Sequence, residues 1–150
     1  FGSGGTINLD GQNTCRDITC SSGHTFTINE SNGRMNCYGS VIFESGLTLG
    51  DTSKKFLFKQ TTGNYTITTN GASLKSYFAF GWDGGDATFT LLDDFSTEGC
   101  FDFESGTFDA NDHNVTASSF YFYADTGYTP TVIMGSGIWE VTGENMRPIG

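Results

Sequence analysis

The chain has 150 residues and a net charge of −10, with 7 Lys and Arg against 17 Asp and Glu. This length suits one domain, and the charge argues against nucleic acid as a partner because phosphate binding depends on Lys and Arg. The composition of 21 Gly, 21 Thr, 14 Ser and 10 Asn, with 14 Phe but only 7 Leu and 6 Ala, argues against a helix-rich fold.

Short segments that alternate apolar and polar residues recur along the whole chain. In chain order they are 25–28, 41–43, 47–49, 56–58, 65–68, 78–80, 88–91, 101–104, 115–117, 120–123, 131–134 and 138–141. Because successive residues of a strand point to opposite sides, each segment predicts a strand with one apolar face. No segment has apolar residues at helical spacing, so we expect essentially no helix.

One type of strand returns at a nearly constant interval. An aromatic residue, any residue and Phe occur at 56–58, 78–80, 101–103 and 120–122, which are 22, 23 and 19 positions apart. The tetrapeptide Phe-Glu-Ser-Gly also occurs twice, at 43–46 and 103–106, separated by three times twenty positions. A strand that returns about every 20 residues is typical of the coils of a β-solenoid.

The sequence therefore predicts an all-β chain folded as one β-solenoid domain of about seven coils over residues 1–150. That domain stands alone or is a segment of a longer chain. We expect Phe58, Phe80, Phe103 and Phe122 to stack inside it, since parallel strands place equivalent residues about 4.8 Å apart. The alternative is an antiparallel β-sandwich or jelly roll, in which Asn32-Gly33 and Asn70-Gly71 would close hairpins.

The charge is distributed unevenly along the chain. Residues 1–75 hold six bases and five acids, a net of +1, whereas residues 76–150 hold one base and twelve acids, a net of −11. We interpret the acidic half as a surface that keeps the protein in solution. No apolar run is long enough to span a membrane, and no signal peptide is visible.

The four cysteines, at positions 15, 20, 37 and 100, match neither a redox pair nor zinc knuckles. We favour unpaired, buried thiols; a single disulfide, Cys15–Cys20 or Cys20–Cys37, and a metal site remain open.

Carboxylates are dense between residues 83 and 112, and Asp102 and Glu104 share one face of a strand. A glycosidase would need two such groups at a fixed separation. The segment from Asp109 to Asn114 has oxygen side chains that suit calcium, but it lacks the glycine and distal Glu of an EF-hand. We favour a solvated acidic face and local corner hydrogen bonds, and thus predict no catalytic residues, no metal site and no cofactor.

Aromatic residues on outward faces form the remaining candidate site. Tyr121 and Tyr123 alternate with Phe120 and Phe122, so they would point outward. Together with Trp82 or Trp139 they could stack on sugar rings or on a neighbouring subunit. We favour the subunit contact, because a stacked rod has two open sheet ends that must be covered.

The late part of the chain resembles a known class of repeats. Residues 105–120 run Gly-Thr-Phe, then Asn, then Val-Thr-Ala, then Phe, and residues 134–143 contain Gly-Ser-Gly-Ile-Trp-Glu-Val-Thr-Gly. This pattern is similar to the repeats of right-handed parallel β-helix proteins of the pectate-lyase-like kind, and more narrowly to β-helical segments of bacteriophage tail, fibre and virion surface proteins and of bacterial extracellular adhesins. About 40 residues match well; the earlier coils match loosely.

The resemblance implies a non-enzymatic structural protein located in a virion or on an extracellular surface. It would be a β-helical rod that builds or decorates a phage particle or surface fibre, partnered by other fibre subunits, as a homo-oligomer, and by surface glycans. The alternative is a carbohydrate-binding or carbohydrate-cleaving tail or adhesin module.

Overall fold

The structure, a computed structural model, describes residues 4–20, 23–30, 33–50, 54–123 and 127–149, with the backbone alone for 144–149. These residues form eighteen strands and no helix. The first three coils contain β1 (Gly5–Asn8), β2 (Gln12–Cys15), β3 (Ile18–Thr19), β4 (Phe26–Asn29), β5 (Arg34–Cys37), β6 (Val41–Ile42), β7 (Leu47–Leu49), β8 (Lys55–Phe58) and β9 (Asn64–Thr68). The later coils contain β10 (Ser73–Leu74), β11 (Tyr77–Phe80), β12 (Thr88–Leu91), β13 (Phe95–Ser96), β14 (Cys100–Phe103), β15 (Thr107–Asp109), β16 (Val115–Tyr123), β17 (Thr131–Ile133) and β18 (Trp139–Ile149).

The strands stack into three parallel faces. Face A has the order β1-β4-β7-β10, and the bridge between Leu74 and Thr97 continues it towards β13. Face B has the order β2-β5-β8-β11-β14-β16, and face C the order β3-β6-β9-β12-β15-β17. In the sixth coil the single strand β16 turns from face A to face B, pairing first with β13 and then with β14.

This arrangement confirms the predicted β-solenoid. Among the described strands each neighbour comes from the next or previous coil and runs parallel, whereas a sandwich or jelly roll would pair antiparallel strands. Six turns are complete, and β18 begins a seventh by pairing with β16. The right-handed sense of the winding stays a prediction.

The aromatic recurrence gives the register of face B. Phe56, Phe78, Phe101 and Phe120 are aligned partners on four successive strands, and so are the Phe residues at 58, 80, 103 and 122. Both rows point inward, and all eight side chains except that of Phe122 are fully buried. The equal intervals in the sequence therefore correspond to equivalent positions on neighbouring coils.

The repeated tetrapeptide, in contrast, does not mark equivalent positions. Residues 43–46 form the corner between faces C and A, whereas residues 103–106 lie between faces B and C. Both copies end on a glycine because the backbone passes close to the coil below: a Cβ at Gly46 would lie 2.0 Å from the carbonyl oxygen of His24, and one at Gly106 would lie 2.2 Å from that of Ala87. The spacing of three times twenty is thus a coincidence of two similar corners.

Phenylalanine rings fill the centre of the solenoid. The rings of Phe58 and Phe80 stack with centroids 4.6 Å apart and planes at 9°, the separation of adjacent parallel strands. Phe89 of face C and Phe95 of face A meet Phe80 edge-on, at 5.6 and 6.2 Å. Aromatic pairs prefer these two geometries, so the rings tie the three faces together as well as the coils.

We predict that Phe80→Ala destabilises the fold by about 3–5 kcal/mol, because it removes a buried ring that contacts three faces and leaves a cavity. Leu92→Ala, at an exposed position in the same coil, should change the free energy of unfolding by less than about 0.5 kcal/mol. Urea unfolding followed by circular dichroism measures both, and equal effects would contradict the central role of Phe80.

Candidate functional site

The outer side of face B carries a second layer of side chains, which is the most distinctive surface of the described chain. Leu57, Ala79 and Asp102 alternate with inward Phe residues and are aligned on β8, β11 and β14, so they point outward. A residue on the outer side of a solenoid is normally exposed to solvent. These three are at most 1% exposed.

Lys55, Tyr77 and Trp82 contact one another beside this layer. The Lys55 ammonium lies 4.5 Å from the ring centroid of Tyr77 and 4.3 Å from that of Trp82, so it is held between two aromatic faces. At the other end of β8, Lys59 is 85% buried and its Nζ lies 3.0 Å from the Asp83 carboxylate. The turn that carries Trp82 and Asp83 is therefore fastened to the lysines of the neighbouring coil.

Asp102 is the unusual member of the layer. Neither of its carboxylate oxygens has a hydrogen-bond partner, and the residue is 1% exposed. Burial raises the pKa of Asp102 to about 7; the positive charge of Lys55 opposes this shift, and the negative charge of Glu104 adds to it. Burial thus favours the neutral form of this carboxyl group.

Three of the four predicted site residues lie on this side of the molecule or next to it. Tyr121 is the aligned neighbour of Asp102 on β16, and its ring lies 6.5 Å from that of Tyr123, with planes at 27°. Both are half-buried. Trp82 is in the turn after β11, and the Lys55 ammonium lies over one face of its ring.

Trp139, the fourth residue, belongs to a different place. Its indole packs against Phe120, Phe101 and Phe108 at centroid distances of 5.3, 5.9 and 6.1 Å, and its Nε1 donates to the Met134 carbonyl oxygen at 3.4 Å. It therefore covers the core at the last coil, separate from Tyr121, Tyr123 and Trp82.

Several other acidic side chains of the second half hold corners together. Asp94 accepts hydrogen bonds from the backbone and side-chain amides of Asn114, both at 2.9 Å, and Asp112 accepts from the Ser136 amide at 2.7 Å. These hydrogen bonds lower the pKa of both carboxyl groups. The segment from Asp109 to Asn114 uses its oxygens in the same way, since Asp109 accepts from the backbone amide of Asn111 at 2.9 Å.

The four cysteines are free thiols. Cys15 and Cys37 are aligned on β2 and β5. Their spacing of 22 residues, about one coil, indicates this alignment when the coil length is known. A hydrogen bond between the two thiols lowers the pKa of Cys15 and raises that of Cys37, which is fully buried.

Sequence reasoning placed Asp102 and Glu104 on one outward face but missed the burial of Asp102 and the roles of Lys55 and Tyr77. One signal was available: the outward position between two Phe residues is Leu in β8 and Ala in β11, and apolar residues at successive outward positions indicate a covered surface.

Comparison with known proteins does not identify a family. No protein-family model, no curated protein and no solved structure matches the chain. The resemblance to phage and adhesin β-helices is therefore supported by the solenoid fold alone. In the described ranges, no helix has the length and apolar character needed to cross a membrane.

We predict that Asp102 makes the protein less stable as the pH rises. Its folded pKa of about 7 lies above the ordinary value of 3.8, so its contribution to stability is full below about pH 4 and is lost as the pH rises to about 7. Asp102→Asn should remove this dependence and raise the melting temperature at pH 8. Asp86→Asn, which removes an exposed charge, should leave the pH profile unchanged; identical profiles for wild type and Asp102→Asn would contradict the prediction.

A second variant tests the electrostatic link to Lys55. Lys55→Met keeps an apolar stem but removes the charge that opposes the pKa shift of Asp102. The pH at which stability is lost should therefore move upward. Lys75→Met, which removes a partly exposed lysine paired with Glu98 at 3.7 Å, serves as the control and should not move it. Thermal unfolding measured across the pH range gives both midpoints.

Proposed function

We propose that this chain is a non-enzymatic structural protein, a β-helical rod that builds or decorates a phage virion or an extracellular surface fibre. The observation that carries the proposal is the stack of Phe56, Phe78, Phe101 and Phe120, which fills the interior coil by coil. An interior packed with rings suits a stiff shaft, and any binding would then take place on the outer surface.

The use of the acidic side chains supports the same reading. A glycosidase needs two carboxyl groups that both reach a substrate at a suitable separation. Here Asp93 accepts from the Thr69 amide, Asp94 and Asp112 hold corners, and Asp83 pairs with Lys59. Asp102 lies beneath other side chains. The contacts of the first four carboxylates join neighbouring coils, as a structural protein requires.

The proposal is tested by location and by activity. Antibody labelling of intact virions and cells of the source should place the protein on a particle or surface. Incubation with bacterial capsular polysaccharides and lipopolysaccharides should release no reducing ends. Confinement of the label to the cell interior would overturn the structural role, and reducing ends that increase with protein concentration would overturn its non-enzymatic character.

A glycan-binding module is the second candidate, favoured by one observation. Tyr121 and Tyr123 present two roughly parallel, half-buried rings on the outer side of face B, and stacking on aromatic rings is a common way to hold a sugar. If this function holds, Tyr121→Ala and Tyr123→Ala should each weaken glycan retention on an array. Tyr38→Ala, an exposed tyrosine near the other end of the rod, is the matched control.

A further inference from the structure

Two thiols meet on the inner side of face B, where β2 lies beside β5. Cys15 and Cys37 are aligned partners on these strands, and both side chains pack in the core. They occupy the inward row that Phe58 and Phe80 continue in the next two coils. Between β2 and β5 a pair of sulfur atoms therefore takes the place that stacked rings have in later coils.

The register brings the two thiols within reach of a covalent bond. Aligned residues on adjacent parallel strands lie about 4.8 Å apart, and the Cα atoms of a disulfide usually lie about 4.4–6.8 Å apart. The Cys15 Sγ lies 3.6 Å from the carbonyl oxygen of Asn36, and the Cys37 Sγ lies 3.3 Å from that of Arg16. Each sulfur thus lies against the strand that carries the other, so a bond between them requires no change of register.

The other two cysteines have no such partner at the aligned position of a neighbouring strand in the described chain. Cys20 follows β3, and Phe43 follows β6, the strand that pairs with β3. Cys100 is aligned with Ser119 on β16. The coil register therefore selects one pair from the four cysteines.

The two thiols of this pair differ in reactivity. Their mutual hydrogen bond lowers the pKa of Cys15, whereas the same hydrogen bond and burial raise the pKa of Cys37. Cys15 is thus the thiol that reacts first, as a thiolate. When Cys15 is bonded to another sulfur it no longer holds the proton of Cys37 by its charge, and the largest cause of the raised pKa of Cys37 is removed.

We propose that Cys15 and Cys37 form a disulfide that joins the coil of β2 to the coil of β5. The oxidant is a low-molecular-weight disulfide of the glutathione class. The Cys15 thiolate attacks one sulfur of the oxidant and expels a thiolate, and the Cys37 thiolate then attacks the Cys15 Sγ and expels a second one. Two protein thiols are oxidised, one small disulfide is reduced to two thiols, and the two cysteine protons pass to the expelled thiolates.

The bond supplies a link that aromatic stacking supplies in later coils. At the two inward positions of face B, β8 and β11 both carry Phe, whereas β2 and β5 carry Asn13, Met35 and the two cysteines. A disulfide across 22 positions restricts the unfolded chain and so favours the stacked coils. This inference goes beyond the proposed function, which supplies only a setting: disulfides persist on virion and extracellular surfaces, where the environment is oxidising.

Refolding in a glutathione redox buffer tests the proposal. The reduced, unfolded protein is refolded at low concentration with oxidised and reduced glutathione, and the remaining thiols are then alkylated in denaturant. The intact mass should show two alkyl groups, against four for a sample refolded with a reducing agent. Peptide mapping without reduction should find Cys15 linked to Cys37. Four free thiols in the oxidised sample, glutathione retained on either residue, or a bond between any other pair would overturn the proposal.

Circular dichroism must show the strand content of the native protein in both samples. Where refolding does not restore it, the native reduced protein is incubated with the same redox buffer and analysed in the same way. The proposal is then judged by the same masses and the same peptide map.

Variants separate the proposed pair from the other cysteines. The double variant Cys20→Ala, Cys100→Ala keeps both partners and should form the bond to the wild-type extent. Cys15→Ala should form no bond and carry three alkyl groups. A double variant that stays fully reduced, or a Cys15→Ala variant that still forms an internal disulfide, would contradict the assignment.

The outcomes separate this inference from the proposed function. A protein that lies on a particle but keeps four free thiols would refute the disulfide and leave the structural role standing. A protein that forms the Cys15–Cys37 bond but is absent from every surface would refute the structural role and leave the disulfide standing.

Discussion

The fold depends on the match between two lengths: the spacing of parallel strands and the stacking distance of phenyl rings. Adjacent parallel strands lie about 4.8 Å apart, and the rings of Phe58 and Phe80 stack at 4.6 Å. When Phe is repeated at one position of successive coils, its ring therefore stacks on the ring of the next Phe at a favourable separation, and the backbone does not have to bend. Fourteen Phe can thus supply a core in a chain with only seven Leu.

The same constraint explains the corners. Because each coil must return to the same place one strand spacing higher, corner residues lie close to the backbone of the coil below. Gly46 and Gly106 leave room for a carbonyl oxygen there. At other corners, side chains form hydrogen bonds to the neighbouring coil. The Asn70 side-chain amide donates to the Phe43 carbonyl oxygen at 2.8 Å, and that of Asn111 donates to the Leu91 carbonyl oxygen at 3.1 Å. The abundance of Asn, Asp and Gly is a consequence of stacking.

The sequence predicts those features of the fold that depend on a regular spacing of residues, and it does not predict those that depend on contacts between distant side chains. The parallel stack and the face B register follow from Phe-x-Phe intervals, since equivalent positions recur one coil apart. The outward direction of Asp102, Tyr121 and Tyr123 follows from strand alternation. The burial of Asp102 does not, because the groups around it come from distant positions in the sequence; Lys55, whose charge acts on Asp102, is 47 positions away. The repeated tetrapeptide did not mark equivalent positions of two coils, because similar corners occur between different faces.

In a solenoid, the order of residues in the sequence is also their order along the axis of the fold. A difference in composition between two halves of the sequence therefore becomes a difference between two halves of the molecule, which is not so in most folds. In a sandwich, strands distant in sequence mix within each sheet, so the nearly neutral first half and the acidic second half would interleave. Here they stay apart, and the rod has one nearly neutral half and one strongly acidic half. The acidic half would repel the same half of a second rod aligned beside it in the same direction. Charge therefore disfavours that side-by-side arrangement.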